Sequence, residues 1–310
     1  MSKCIVFEDG ILRETLTENC KSLWDGLFSK VLKDGFLINF LQSCLPKNTI
    51  LVVPLSDGNI KSTYKEGEFK GLYNMAIWEE IEPYINEARE KDKIFMLGTL
   101  SQINEEHGIN YIYLPLDDAF LEHGVRPFFQ NIPEWSKRSS DLCWRGGCSG
   151  GNIPIRAKFV DLLFEYNKVN TKNVRLSRWW REGKNINEKY FANPSCDRLH
   201  FSEFLKYKIF FIIDGAVISS SHMWGFASGA VPFLISNAKC WFSSFAVPFV
   251  HYIPIEYDLS NLIEQIEWVL ENDEKASQIA QNALDFSSTY FSAEFQQKYL
   301  RDSINNFCNK

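Results

Sequence analysis

Apolar residues in this chain gather in short blocks of two kinds, continuous runs of four to seven and helically spaced sets, and the two kinds alternate. Residues 48–54 form a continuous run closed by the turn signal Ser56, Asp57 and Gly58, which predicts a buried strand. Residues 77–90 carry Ile77, Trp78, Ile81, Tyr84, Ile85 and Ala88 at helical spacing, and runs at 93–97 and 111–114 predict two further strands. The second half repeats the scheme. A strand near 142–144 leads through a glycine-rich loop at 145–151 to a helix from Pro154, whose fixed φ suits a first helical position. Residues 174–178 read as a strand and loop, and 206–213 as a strand turning at Asp214 and Gly215. A short helix over 223–228 can end at Gly229, and strands follow at 231–235 and 249–255. From Asp258 to about 306 the pattern is helical, with Leu262, Ile263, Ile266, Val269 and Leu270 on one face and then Ile279, Ala283 and Phe286. Strands and helices in alternation predict an α/β fold built on mainly parallel sheets. The polar, unpatterned stretch at 135–141 divides the chain into lobes of 1–138 and 139–310.

With 310 residues, the chain is long enough for two ordinary cores. Its 33 basic and 39 acidic residues leave a net charge of −6, which gives no general attraction to nucleic acid or an anionic membrane, so a basic site must be local. One local patch, Arg175, Arg178, Trp179, Trp180 and Arg181, would suit a nucleic acid or another phosphorylated ligand, and the overall acidity argues against the first. Most of the 25 phenylalanines are expected in cores. The first ten residues are unlike a secretory signal, and no run approaches the roughly 18 apolar residues of a membrane span, so a soluble intracellular protein is expected. Eight scattered cysteines without a Cys-x-x-Cys pair imply reduced thiols. Cys143, Cys148, Cys196 and His200 are poorly spaced for zinc.

Candidate chemistry lies where strands end. In 145–151, Arg145 can reach an oxyanion while Gly146, Gly147 and Ser149 let backbone amides approach a ligand; the spacing fits neither the dinucleotide fingerprint nor the P-loop, and a plain tight connection is the structural alternative. Arg156 falls in the first turn of the following helix, an unfavourable place for a cation unless an anion offsets it. After Asp214 and Gly215, the hydroxyls of Ser219, Ser220 and Ser221 either cap a helix or meet a phosphate. Asp117 and Asp118 follow the strand at 111–114. Either could be a general base, and either could cap the helix at 119–122. Their adjacent spacing differs from the Asp-x-Asp pair that chelates a divalent metal, so no metal or other cofactor is expected. His251 reads as a core histidine, Asp258 as a helix cap, and His107 and His123 as loop residues near glycines that could shape a binding face.

Taken in order, Tyr207, Asp214, Gly215, Ser219, Ser220, Ser228, Gly229, residues 251–254 and residues 258–260 resemble glycosyltransferase family 90, the capsule-associated, lipopolysaccharide-modifying enzymes whose eukaryotic members are protein O-glucosyltransferases. Residues 144–151, Arg156 and 114–118 extend the resemblance over about the last two thirds of the chain. It implies a GT-B architecture of two Rossmann-like lobes around a cleft, with the acceptor on the first lobe and the nucleotide sugar on the second. It also implies inverting, metal-independent transfer of a hexose or pentose from a UDP-sugar to a hydroxyl of a surface glycan such as lipopolysaccharide core, in the cytoplasm or at the inner membrane face. Donor contacts would come from Arg145, Gly146, Gly147, Ser149, Arg156, Arg178 and the turn of Asp214, Gly215, Ser219, Ser220 and Ser221. Asp117 would be the base ahead of Asp118. One departure stands out, because Ser221 takes the place where eukaryotic relatives carry a diphosphate-binding arginine. Compensation would come from Arg145, Arg156, Arg178, Lys208 or His222. The alternative is a relative that binds a nucleotide sugar or glycan without catalysis.

Overall fold

The computed structural model describes residues 4–14, 35–54, 78–99, 101–102, 111–115, 118–148, 153–181, 188–192, 198–214, 218–219 and 221–309. Its first part is a five-stranded sheet. The hairpin β1 (Cys4–Glu8) and β2 (Ile11–Glu14) is followed by helix α1 (Phe36–Cys44), strand β3 (Thr49–Pro54), helix α2 (Trp78–Glu90), and strands β4 (Ile94–Thr99), β5 (Ser101–Gln102) and β6 (Tyr111–Tyr113). Helix α3 (Asp118–His123) closes this part. The spatial order is β2-β1-β3-β4-β6, antiparallel around β1 and parallel from β3 to β6. Strand β3 is apolar at successive positions because both of its faces are covered. Ile50 and Val52 pack with Ala88 of α2, while Leu51 and Val53 join the core on the side of α1.

The second part begins with β7 (Cys143–Cys148), α4 (Ile153–Glu165), β8 (Asn173–Arg181), α5 (Phe201–Phe204), β9 (Ile209–Ile213) and α6 (Ser221–Ala227). It continues with β10 (Val231–Ile235), β11 (Lys239–Cys240), β12 (Ile253–Pro254), α7 (Leu262–Glu271), α8 (Asp273–Tyr290) and α9 (Ala293–Cys308). Strands β9, β10 and β12 pair in parallel, as do β7 and β8. A parallel bridge between Ser139 and Tyr207 lays β7 beside β9, giving the spatial sequence β8, β7, β9, β10, β12. All of β9 is buried, with Ile209, Phe211 and Ile213 facing α4 and α7, and Phe210 and Ile212 facing α6. The core on the α6 side is shared with the first sheet. It takes in Leu114, Phe120 and Leu121 together with Phe226, Phe291, Leu300 and Ile304, and β5 pairs with β11 across the same junction.

A mixed α/β fold is therefore observed, with three departures from the sequence expectations. The glycines at 146 and 147 are strand, not loop, because β7 pairs with β8 as far as Cys148. A Cβ on Gly146 would lie 2.3 Å from the Trp144 ring, so the close approach of that indole excludes a side chain. Of the expected strand at 249–255 only Ile253–Pro254 forms. Val247, Phe249 and Val250 are exposed in a turn in which Phe249 has φ 58° and the amides of Val250 and His251 bond to the Val247 carbonyl. His251 thus lies in that turn, its Nδ1 accepting from the Val247 amide at 2.9 Å. Finally, α7 starts at Leu262 after Asn261, and Asp258 instead accepts from the Ser260 amide ahead of the helix.

The polar stretch at 135–141 holds a buried cation. Arg138 is 5% exposed and donates to the carbonyls of Leu205 (2.9 Å), Tyr207 (3.2 Å), Ser228 (2.9 Å) and Pro133 (3.2 Å). Gly229, at φ 70°, both ends α6 and leaves room for that guanidinium, 2.8 Å from where its Cβ would be. Cysteines 4, 44, 143, 240 and 308 are not disulfide-bonded, and no group of three metal-ligating side chains occurs among the described residues. No described helix is long and apolar enough to cross a membrane.

Candidate active site

From β7 the chain crosses outward to β8, and from β9 it crosses the opposite way to β10 and β12. Parallel α/β sheets bind ligands in the crevice this reversal leaves at the carboxyl ends of the strands. A cleft of about 350 Å³ lies there. Gly146 and Gly147 at the end of β7, Ile213 at the end of β9, and Ser219 and Ser221 at the start of α6 line it. Trp144, Phe204, Phe210 and Trp224 give it aromatic walls. Arg145, Arg156 and Arg198 also line it, and no carboxylate side chain stands among its described lining residues. In a chain of net charge −6, that is a local concentration of positive charge suited to an anion.

Each arginine is placed differently. Arg145 lies opposite Arg175 in the parallel register of β7 and β8. Burial, and then the charge of Arg145, lower the Arg175 pKa, so two neighbouring cations raise the local potential. Arg175 itself donates to the carbonyls of Thr171 and Val174 and stacks over Phe164. Arg156 is 7% exposed and spans the crevice, with Nη1 donating to the Gly147 carbonyl (2.8 Å), Nη2 to that of Ile213 (3.1 Å) and Nε to that of Asp214 (2.9 Å). Its guanidinium lies 5.9 Å from the Trp144 ring centroid. A cation in the first turn of α4 is thus stabilised by strand-end carbonyls, and it acts as a brace for β7 and β9 at the cleft wall.

Below that wall, Asp214 is 2% exposed, and burial pushes its carboxyl up to about 8 against the hydrogen bond from Ser236 and the charge of Arg156. His222, also buried, is pushed down to about 4 by loss of solvent. The Ser219 and Ser221 hydroxyls bond to each other, and the Ser221 amide donates to Ser219 Oγ.

Of the residues singled out from the sequence, Arg145, Gly146, Gly147, Arg156, Ser219 and Ser221 come together in this one cleft, with Asp214 immediately behind it. Asp117, Ser149, Gly215, Ser220, His107 and Cys196 lie outside the described residues, as do the side chains of Asp118, Cys148, Arg178, Trp179, Trp180 and Arg181. The backbone of Asp118 begins α3, which packs against α1 and α9 in the first part. His123 is exposed beside Glu122. Sequence reasoning passed over Trp224, Arg198 and Ser177. Trp224 follows Ser221 by three residues and so shares its helical face, and Ser177 is the register partner of Gly147.

Residues 129–309 match the model of a protein family described as Glycosyl transferase family 90. The chain is 28% identical over 172 residues to Protein O-glucosyltransferase 1 of Homo sapiens, covering 54% of this chain and 41% of that protein. It is 32% identical over 163 residues to Protein O-glucosyltransferase 2 of Danio rerio, covering 51% of this chain and 30% of that one. To Uncharacterized protein 179R of Invertebrate iridescent virus 6 it is 32% identical over 201 residues, covering 56% of this chain and 17% of the other. The chain thus spans less than half the length of these relatives.

Proposed function

The chain belongs to glycosyl transferase family 90, and from that membership we propose that it transfers glucose or a similar hexose or pentose from a UDP-sugar to a hydroxyl, with inversion at the sugar carbon. The observation that carries the reading is the cleft with Arg145, Arg156 and Arg198 on its walls and no carboxylate among its described lining residues, inside the matched residues. In this reading the chain has the two-lobed GT-B-like form, with residues 1–138 on the acceptor side and 139–310 holding the nucleotide sugar. The diphosphate meets Arg145 and the hydroxyls of Ser219 and Ser221, with Ser149, Ser220, Gly215 and Arg178 as further donor contacts. The field of Arg156 adds to theirs while its donors brace the strand ends. Together these cations take over the charge that the eukaryotic relatives would supply at position 221.

The chemistry is a single displacement. The acceptor oxygen bonds to C1 of the sugar as the bond from C1 to the diphosphate oxygen breaks, UDP leaves with that electron pair, and the acceptor proton passes to Asp117, or to Asp118 in its place. No metal or other cofactor takes part. The acceptor is a surface glycan of the lipopolysaccharide-core type, met at the cytoplasmic face of a membrane. A protein hydroxyl is the second reading, favoured by the names of the human and zebrafish relatives.

Calorimetry with UDP-glucose, followed by transfer assays on glycan and protein acceptors with and without chelator, tests this. Binding and transfer that survive chelation, with transfer lost and binding retained in Asp117→Asn, are expected. Donor binding with no transfer to any acceptor and no donor hydrolysis would make the chain a non-catalytic binder, and no binding of any nucleotide sugar would remove the reading.

A further inference from the structure

Strands β9 and β10 pair Ile213 with Ile235, so the residues that follow them, Asp214 and Ser236, end up side by side. Ser236 Oγ donates to Asp214 Oδ2 at 2.5 Å and accepts from the Ala238 amide at 3.0 Å. The other carboxyl oxygen, Oδ1, faces His222 Nε2 at 3.4 Å, and neither atom has a hydrogen-bond partner among the described residues. His222 is held from its far side, where Nδ1 lies 2.9 Å from the Ser219 carbonyl. A carbonyl only accepts, so Nδ1 carries the hydrogen and a neutral His222 presents a lone pair at Nε2. Two lone-pair-bearing atoms cannot face each other in a dry interior without cost, and one proton between Oδ1 and Nε2 resolves the contact.

We propose that Asp214 and His222 are positioning residues for the donor, sharing one proton that anchors the Ser219 carbonyl and so holds the Ser219 and Ser221 hydroxyls at the cleft wall. The inference rests on the reading of that cleft as a nucleotide-sugar site. Neither residue reaches the ligand. They act through Ser219, whose Oγ is bonded to Ser221.

The surroundings leave the pair as the group that titrates near neutrality. Among the described residues, Arg156 of α4, Cys240 of β11 and Tyr257 beyond β12 are the other charged or titratable groups that interact with Asp214. Burial pushes Cys240 and Tyr257 each up to about 12, and the Arg156 guanidinium stays cationic. Burial also drives Asp214 up and His222 down, which favours the acid beside the neutral imidazole. Removing the proton leaves a buried carboxylate facing a lone pair and adds negative charge behind a site for an anion.

The test is the pH dependence of UDP-glucose affinity for the full chain, by calorimetry from about pH 6 to about pH 9. This probe keeps a constant diphosphate charge over that range. Affinity of the native chain is expected to fall above the midpoint of the pair, by up to roughly tenfold per pH unit. Asp214→Asn keeps an acceptor for Ser236 and places a permanent N–H toward His222. It is expected to lose the fall, its affinity being the same at both ends of the pH range. His222→Gln removes the imidazole, and is expected to bind more weakly throughout and with a flat profile; it carries the test if the asparagine variant does not fold. Binding by the native chain that is indifferent to pH, or a fall unchanged in both variants, overturns the pair while leaving the cleft's function standing. No binding by the native chain at any pH overturns the donor reading and, with it, this role for the pair.

Discussion

Two buried arginines tie β7 to β9, one at each end of the strands, and they do different things. Arg138 sits where the strands begin and Arg156 where they finish, and each donates to backbone carbonyls from both sides of the junction. Arg138 is itself enclosed, since Gly229 is glycine to admit the guanidinium, and burial lowers its pKa to about 10. Around Arg156 the strands open into the cleft, with Arg145 and Arg198 alongside. The same hydrogen-bonding device is structural where the guanidinium is enclosed and electrostatic as well where it lines a cleft. Which of the two a buried cation becomes is decided by the crevice beside it.

The contrast breaks most visibly at Arg138. Replacing it with alanine leaves four carbonyls short of a donor, and a loss of roughly 3 kcal/mol or more of stability is expected in urea unfolding. UDP-glucose affinity of the folded fraction should not change. Loss of affinity without loss of stability would show that the Arg138 end matters to the ligand. Arg145→Ala should do the reverse, weakening UDP-glucose binding about tenfold or more with a smaller loss of stability than Arg138→Ala. Unchanged affinity would move the diphosphate away from Arg145.

A further effect is in stability against pH. Asp214 keeps its proton up to about pH 8 in the native chain, whereas an ordinary aspartate loses it near 3.8. His222 stays neutral down to about pH 4, against an ordinary 6.5. Between about pH 4 and 6.5 the native chain holds its proton on Asp214 and the unfolded chain holds one on His222, so the two contributions cancel and stability should be level. Above 6.5 the native chain alone retains a proton, and stability should fall by roughly 2 kcal/mol by about pH 8. Asp214→Asn should remove that fall; a decline of the same size in the variant would assign it to other groups.

Much of the fold was legible because strands covered on both faces must be continuously apolar, as β3, β9 and β10 are. The same rule misread residues 249–255, where Phe249 (55% exposed) and Val250 (41% exposed) are apolar without being covered. Pro248, which cannot donate to a ladder, was the available warning. Arg145, Arg156, Ser219 and Ser221 were legible in order along the chain, but their convergence was not, because it depends on β7 lying next to β9 and not next to β8 alone. Ser236 could not be connected to Asp214 without the register that brings the ends of two strands level. The role of Arg156 changed for a similar reason, since carbonyls at a strand end are invisible to side-chain patterns.

Gln296 of α9 donates from Nε2 to the Phe120 carbonyl, a contact 176 residues apart along the chain, and Leu300 and Ile304 complete the core that begins in the first sheet. During synthesis the ribosome therefore releases the whole first sheet long before the residues that close its interior exist. That sheet must wait, partly open, while the second one forms and delivers its last helix. Folding should accordingly be slow and late, governed by a long-range closure. Chains truncated before residue 293 should expose the apolar surface of Phe120 and Leu121 to chaperones, and chains that include α9 should lose it.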